Sequence, residues 1–380
     1  MDFRYTEAEL ALRDKVRKLA QGTLAPLAHE ADESDELTPA VTQALAKAGL
    51  FKYMVPKEYG GEGIKVTNVC LIREELCKVS SKADATFAMQ GLVSYPITLA
   101  GSDAQKKRYL TKVAAGDAIA AFAITEPEAG SDIANMKLAA SRNGDGYVLN
   151  GIKKYISNAG FASFYCTFAK TDPKAGGRGV SAFVVDRGSP GLDDSTKVPV
   201  LAPHVLGEVK YNNCRIPASA LLGSEGQGIK IALSTLDVFR TTVSAAVLGM
   251  AEAAYAAAVR YVKQRPAFGQ TLADFQSTQF KLAEMATSIE AARYLTYYCA
   301  WLKDSGKEQV ITEASMAKLF ATEMAQKVVD EALQLHGAAG LVRGSLTEKL
   351  YREVRQPRVY EGSTEVLKVT IARQLLKDAE

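Results

Sequence analysis

The chain begins with apolar residues at helical spacing. Leu12, Val16 and Leu19 fall on one stripe, and Thr6 stands three residues before Glu9, as in a capping box. Together they predict a first helix. Thr38 followed by Pro39, with Gly49 beyond the last periodic position, predicts a second. Residues 52–65 (KYMVPKEYGGEGIK) lose the period and read as a glycine-rich loop. Helical spacing returns at about 67–80, and again from Ser102, whose capping partner is Gln105, up to Gly116.

Between about 118 and 220 the pattern shortens to β-prone runs: AIAAFAIT, YVLNGIKKYI, SFYCTFAKT, VSAFVVD and VKYNNCRI. Turn signals separate them, among them Asn143-Gly144-Asp145-Gly146, Asp172-Pro173 and Ser189-Pro190-Gly191. This spacing predicts an antiparallel barrel or sandwich rather than alternating strand–helix units. From about 228, Val243, Val247, Met250, Ala254, Ala258 and Tyr261 trace one face of a long alanine-rich helix that Pro266 must end. Helices near 272–304, 309–336 and 364–378 follow. The expected fold class is α+β, mainly α. The expected domains are helical over 1–117, β over 118–227 and helical again over 228–380.

Composition narrows the chemistry. The 380 residues carry 46 basic and 43 acidic side chains, a net charge of +3 with no basic run, so no nucleic-acid surface is expected. Hydrophobic residues make up 47 %, enough for a substantial core. Five cysteines (70, 77, 166, 214 and 299) form no CxxC pair, and there are three histidines, so neither a disulfide framework nor a metal centre is expected. The amphipathic, acidic N-terminus resembles no targeting peptide, and no stretch of about 20 apolar residues suggests a membrane span. The expected compartment is reducing and aqueous, hence cytoplasmic.

Five segments are hard to explain by folding alone. FAITEPEAGSD (122–132) and Tyr155-Ile156-Ser157-Asn158 place hydroxyls and backbone N–H groups at strand ends, where they can meet the polar edge of a planar heterocycle or simply form turns. In QRPAFGQ (264–270), Arg265 either complements a helix C-terminus or pairs with a pyrophosphate, with Phe268 covering a ring edge. QLHGAAG (334–340) is either a helix stop at Gly337 or a close approach of backbone to ligand. In VYEGSTEV (359–366), Ser363 caps the last helix. Glu361, between an aromatic residue and a glycine, is either a dipole partner or a desolvated general base.

In this order the segments FAITEPEAGSD, YISNAG, QRPAFG, QLHGAAG and YEGSTEV resemble the successive signatures of the acyl-CoA dehydrogenase family, over essentially the whole chain. The resemblance implies FAD-dependent oxidation of an acyl-CoA thioester to its 2-enoyl counterpart. The base that removes the α-proton matches Glu361, the hydride passes to flavin N5, and the glutamate N–H with a ribityl hydroxyl polarises the thioester carbonyl. It also implies that Phe122, Ile124, Thr125, Tyr155 and Ser157 line the flavin ring. Arg265, Phe268, Gln276, Gln334 and Gly337 would hold the FAD pyrophosphate and adenosine, partly from a neighbouring subunit, and Ser363 and Glu365 would add FAD contacts. Ser131, Asp237, Arg240 and Gly362 match substrate contacts. The family's partners are electron-transferring flavoprotein and further copies of the chain, typically in a homotetramer.

The departures are specific. Where some branches carry a base on the long helix, this chain has Phe239, which leaves Glu361. The common Arg-x-Ser-x-Thr stretch is replaced by HVLGEVKYNN (204–213), a second glycine after Gln334 by Ala338, and a common tryptophan by Tyr155. Ala83 stands where the glutaryl-specific branch has an arginine, which disfavours a dicarboxylic substrate. The LDVFR stretch is similar to that of members acting on alicyclic substrates such as cyclohexane-carboxyl-CoA; short or branched aliphatic acyl groups stand beside that reading. An acyl-CoA oxidase, usually longer, and a non-catalytic scaffold are the remaining alternatives.

Overall fold

In a computed structural model, which describes residues 4–378, the first helix runs Glu7–Leu19 and both halves of its capping box close. Thr6 N donates to Glu9 Oε2 at 2.8 Å and Glu9 N to Thr6 Oγ1 at 3.3 Å. Thr38 does precede the Pro39–Lys47 helix, but its side chain makes no capping bond, and Pro39 alone presets the first turn. Among the described helices, some escape the periodicity. Ser81–Ala100 is nearly apolar on every side and contains Pro96, so no stripe stands out. Leu346–Val354 is only nine residues long, though Ser345 accepts from Glu348 N as its cap.

Contacts divide the chain into two units. The helical unit comprises the chain up to His29, Lys65–Asp84, and Asp237 onward. Its core is the predicted stripe of the Gly228–Gln264 helix, with Val247, Met250, Ala254 and Ala258 packed against Met285 and Ile289 of the Gln276–Asp304 helix. Ala321, Met324 and Val328 of the Ile311–His336 helix complete it, and the many alanines allow close helix approach. Contrary to the sequence expectation, the Gly228–Gln264 helix is long and apolar enough to cross a membrane by length and composition. Yet 72 % of its most apolar window is buried, as in a core helix.

The β-unit comprises Glu30–Ile64 and Ala85–Leu236. Its strands are β1 (Ala120–Ala123), β2 (Ala139–Asn143), β3 (Gly146–Ser157), β4 (Phe164–Lys170), β5 (Val180–Asp186), β6 (Leu192–Asp193), β7 (Leu206–Pro217) and β8 (Leu221–Leu222). They form one sheet in the order β6-β7-β3-β2-β4-β5-β8, with β1 beside β4. Most pairs are antiparallel; β1 lies parallel to β4, with Phe122 opposite Cys166. The Asn143–Gly146 turn closes the β2–β3 hairpin, with Gly144 at φ 60. β2 itself was not predicted, because ASRN is largely exposed and polar. Inward residues Tyr147, Leu149, Tyr165, Phe183 and Tyr211 fill the core. All five cysteines are free and buried: Cys70, Cys77 and Cys299 in the helical unit, Cys166 and Cys214 in the β-unit.

Candidate active site

The segment preceding the last helix (Thr364–Asp378) is set by its cap. Ser363 accepts from Val366 N through its hydroxyl at 3.4 Å and from Leu367 N through its carbonyl at 3.0 Å. Immediately before it, Glu361 and Gly362 both turn left-handed, at φ 53 and φ 98. For a glutamate that region is uncommon and strained, so surrounding bonds must hold it. They are present. Lys318 Nζ donates to Tyr360 O at 2.9 Å and to Gly362 O at 2.6 Å, and Arg240 Nε donates to Glu361 O at 3.1 Å. A Cβ on Gly362 would come within 3.3 Å of Leu367 Cδ2, so the turn is filled as well as tied.

The Glu361 carboxylate is treated differently from its backbone. Its Oε2 is buried and has no hydrogen-bond partner among the described residues. Burial raises its pKa above the ordinary value; the charges of Arg73, Lys318 and Arg240 oppose that shift without cancelling it. Arg73 is itself occupied, donating to both carboxylate oxygens of Asp84 at 2.8 and 2.7 Å and to Thr242 Oγ1 at 2.9 Å. Desolvation likewise pushes Asp237 up. Its Oδ2 accepts from Val310 N at 3.2 Å while its Oδ1 is buried and unpartnered. Phe239, at the alternative base position, is fully buried.

Of the candidates expected from the sequence, Glu361, Gly362 and Arg240 meet at this turn; Lys318 and Arg73, which also act on it, were not among them. A cue existed for Lys318. It lies on the buried stripe of Ala314, Ala317, Ala321 and Ala325, where a lysine needs a reason.

In the β-unit, the end of β1 is joined to β3 through Lys154 N, which donates to Thr125 O at 2.9 Å. This brings Phe122, Ile124 and Thr125 to the strand end that carries Tyr155 and Ser157. Phe122 is buried, its ring 5.0 Å from that of Phe168, while Ile124 and Thr125 are half-buried. Lys153 Nζ donates to Ile124 O and to Glu126 Oε1, both at 2.8 Å. Glu126 also accepts from Lys137 N at 2.5 Å and Leu138 N at 2.9 Å. Glu126 belongs to the FAITEPEAGSD segment, whereas Lys153 lies outside the segments singled out from sequence. Tyr155 sits at φ 59 with its side chain 52 % exposed. The Ser157 hydroxyl lies 2.8 Å from His204 Nε2, so a residue of the departing HVLGEVKYNN stretch supports it. Ser131 is exposed in the turn after β1.

The remaining candidates lie in the helical unit. Arg265 follows the long helix and is exposed, its N donating to Tyr261 O at 2.9 Å. Phe268 and Gly269 form the two-residue loop of a small hairpin, both left-handed, and Phe268 is 97 % exposed. Its ring meets the edge of Phe275, centroids 6.3 Å apart. Gln276 is the exposed first residue of its helix, Gln334 is exposed in the last turn of another, and Gly337 ends that turn at φ 57. Tyr261 stacks on His336 at 4.4 Å, which sets the helix end bearing Arg265 beside the one bearing Gln334 and Gly337. Glu365 is exposed in the first turn of the last helix. A surface cavity of about 390 Å³, lined by Asn135, Lys137, Lys170 and Pro173 among others, contains none of these residues.

Three domain descriptions match in chain order: the acyl-CoA dehydrogenase N-terminal domain over residues 6–117, the middle domain over 121–214 and the C-terminal domain over 226–376. The chain is 37 % identical to an acyl-CoA dehydrogenase of Bacillus subtilis, over 98 % of each chain. Butyryl-CoA dehydrogenase from Megasphaera elsdenii superposes with a TM-score of 0.95 at 35 % identity, covering 99 % of this chain and 100 % of that one. A chain in a structure of the electron transferring flavoprotein of Acidaminococcus fermentans gives the same TM-score at 38 % identity, covering 99 % and 100 %. The chain belongs to the acyl-CoA dehydrogenase family and is an FAD-dependent oxidoreductase.

Proposed function

We propose that the protein dehydrogenates a short-chain acyl-CoA to the 2-enoyl-CoA, with Glu361 as the base that takes the α-proton. The observation that carries this reading is the buried, unpartnered Oε2 of Glu361 on a strained turn. Burial raises its proton affinity, so the carboxylate accepts a weakly acidic α-proton more readily than an exposed one would. As the C–H bond breaks, its electron pair enters the forming C=C bond and the proton ends on Glu361. The Glu361 N–H stabilises the negative charge that develops on the thioester oxygen. Asp237, with one orphaned acceptor, and Arg240 and Gly362 orient the thioester, and Ser131 is a further candidate for contact with the substrate.

The residues present fit FAD. Phe268 is an aromatic ring held in solvent by a strained loop, Tyr155 is a second exposed ring at positive φ, and nothing lies within 4 Å of a Cβ built at Gly337. Phe122, Ile124, Thr125, Tyr155 and Ser157 would border the ring; Arg265, Phe268, Gln276, Gln334, Gly337, Ser363 and Glu365 would hold the remainder. When bound, FAD supplies the acceptor for the β-hydride.

Electron-transferring flavoprotein is the proposed electron acceptor, supported by the Acidaminococcus relative. A homotetramer is the proposed assembly. Phe280, Tyr294, Tyr298 and Trp301, all exposed on the Gln276–Asp304 helix, offer an apolar face for it. Free cysteines support a cytoplasmic location. Anaerobic titration of the flavoprotein with a panel of acyl-CoAs tests the reading. Bleaching of the flavin band by butyryl-CoA is expected; bleaching by cyclohexane-carboxyl-CoA alone would assign the alicyclic substrate, and none by any thioester would overturn the function.

A further inference from the structure

We infer that Lys318 is a positioning residue for the reaction, holding the Tyr360–Gly362 turn so that Glu361 presents its N–H and carboxylate in one fixed orientation. The inference rests on Glu361 being the base. Lys318 is fully buried on the Ile311–His336 helix and has no carboxylate at ion-pair distance among the described residues. Its Nζ donates to Tyr360 O and Gly362 O, the carbonyls on either side of Glu361. Arg240 Nε takes the Glu361 carbonyl between them. Three consecutive carbonyls are therefore bound by two cations. A carbonyl and the following N–H share one rigid peptide plane. Fixing Tyr360 O thus fixes the Glu361 N–H, and fixing Gly362 O helps keep Glu361 in its left-handed conformation at φ 53.

A lysine in this position is expensive to bury, and burial lowers its pKa to about 8. A neutral side chain could fill the space, but it could not supply two charge-assisted bonds from one atom. The ammonium also acts on Glu361 through its charge, together with Arg73 and Arg240 and against Asp84. Lys318 should therefore control both the rate and the pH at which Glu361 becomes available. A residue that only fills the core would control neither.

The test uses the FAD-loaded enzyme and follows flavin bleaching on rapid anaerobic mixing with a substrate, as a function of pH. Lys318→Met should retain its FAD and bleach on the order of 10²-fold more slowly, because displacements of about 1 Å around the reacting atoms carry that penalty. Its acid limb should move to higher pH, since one positive charge that favours the carboxylate is gone. Lys318→Arg keeps the charge, so its limb should stay at the wild-type pH. Wild-type rate and an unmoved limb in Lys318→Met would overturn the inference. If that variant does not fold, Lys318→Gln decides: a limb displaced upward supports the inference and an unmoved limb overturns it. Glu361→Gln run in parallel separates the two readings, because an active Glu361→Gln enzyme refutes the base itself rather than its positioning.

Discussion

Lys153 in the β-unit and Lys318 in the helical unit each bury an ammonium group and each bind backbone carbonyls beside candidate site residues, but among the described residues only Lys153 of the two has a carboxylate partner. Lys153 Nζ meets Glu126 Oε1 at 2.8 Å, and Glu126 spends its oxygens on two backbone N–H groups as well. That cluster is saturated and therefore inert, a clamp for the strand end that carries Ile124 and Thr125. Around Lys318 the backbone is equally well tied, yet the nearby carboxylate of Glu361 is left with a buried, unpartnered oxygen. Burial lowers both lysines to about 8. The difference teaches that a buried cation is scaffold where its counter-charge is satisfied. On the proposed reading of Glu361 as the base, the same device beside an acid left wanting a proton supports chemistry.

The largest expected effect is on the unsaturated side. Glu361→Gln should retain FAD and fold normally but lose on the order of 10²–10⁴-fold in flavin bleaching by substrate. Near-normal turnover of that variant would erase the contrast. On the saturated side the expected loss is in stability instead. Lys153→Met leaves Glu126 buried without its cation and should cost about 3–5 kcal/mol in denaturant unfolding. Lys153→Met combined with Glu126→Gln should recover part of that loss, and an additive double variant would show that the two side chains do not act as a pair.

A smaller effect sharpens the acid–base side. Glu361 must be ionised to accept a proton, and burial places its folded-state pKa above the ordinary 4.5. The bleaching rate should therefore fall as pH drops through a value higher than 4.5, and a limb at or below it would contradict the burial. The smallest change in stability is expected outside both clusters. Phe268→Ala removes a ring that is 97 % exposed, so the unfolding free energy should stay within about 0.5 kcal/mol. FAD retention on gel filtration should nevertheless fall, because little but a ligand would make use of that ring.

Features with local causes were readable from the chain. The Thr6–Glu9 and Ser102–Gln105 boxes, the Asn143–Gly146 turn and the Val243–Ala258 stripe each depend on residues a few positions apart, and each formed as expected. The Ser81–Ala100 helix was not readable, because uniform burial erases the amphipathic period. Within the site, the flanking aromatic residue and glycine left Glu361 open between dipole partner and base, and the resemblance of YEGSTEV to the family's signature decided for the base. Its supports did not stand out locally: Lys318 lies 42 positions before Tyr360 and Arg240 lies 121 before Glu361, separations that no local pattern encodes. Nor does sequence announce positive φ in bulky residues. Tyr155, Phe268 and Glu361 all adopt it, and all three were candidates through the resemblance of their segments to the family's signatures.

The buried thiols give the molecule two internal clocks. Alkylating reagents attack the thiolate, and every cysteine here is shielded from solvent and shifted by burial away from that form, Cys214 to about 11 and Cys299 to about 12. Modification must therefore wait for a local opening. Cys70, Cys77 and Cys299 report openings of the helical unit, and Cys166 and Cys214 those of the β-unit. Timed alkylation followed by peptide mass analysis would read the two rates side by side in unmodified protein, with no engineered probe. Adding FAD or acyl-CoA would then reveal which clock each ligand slows.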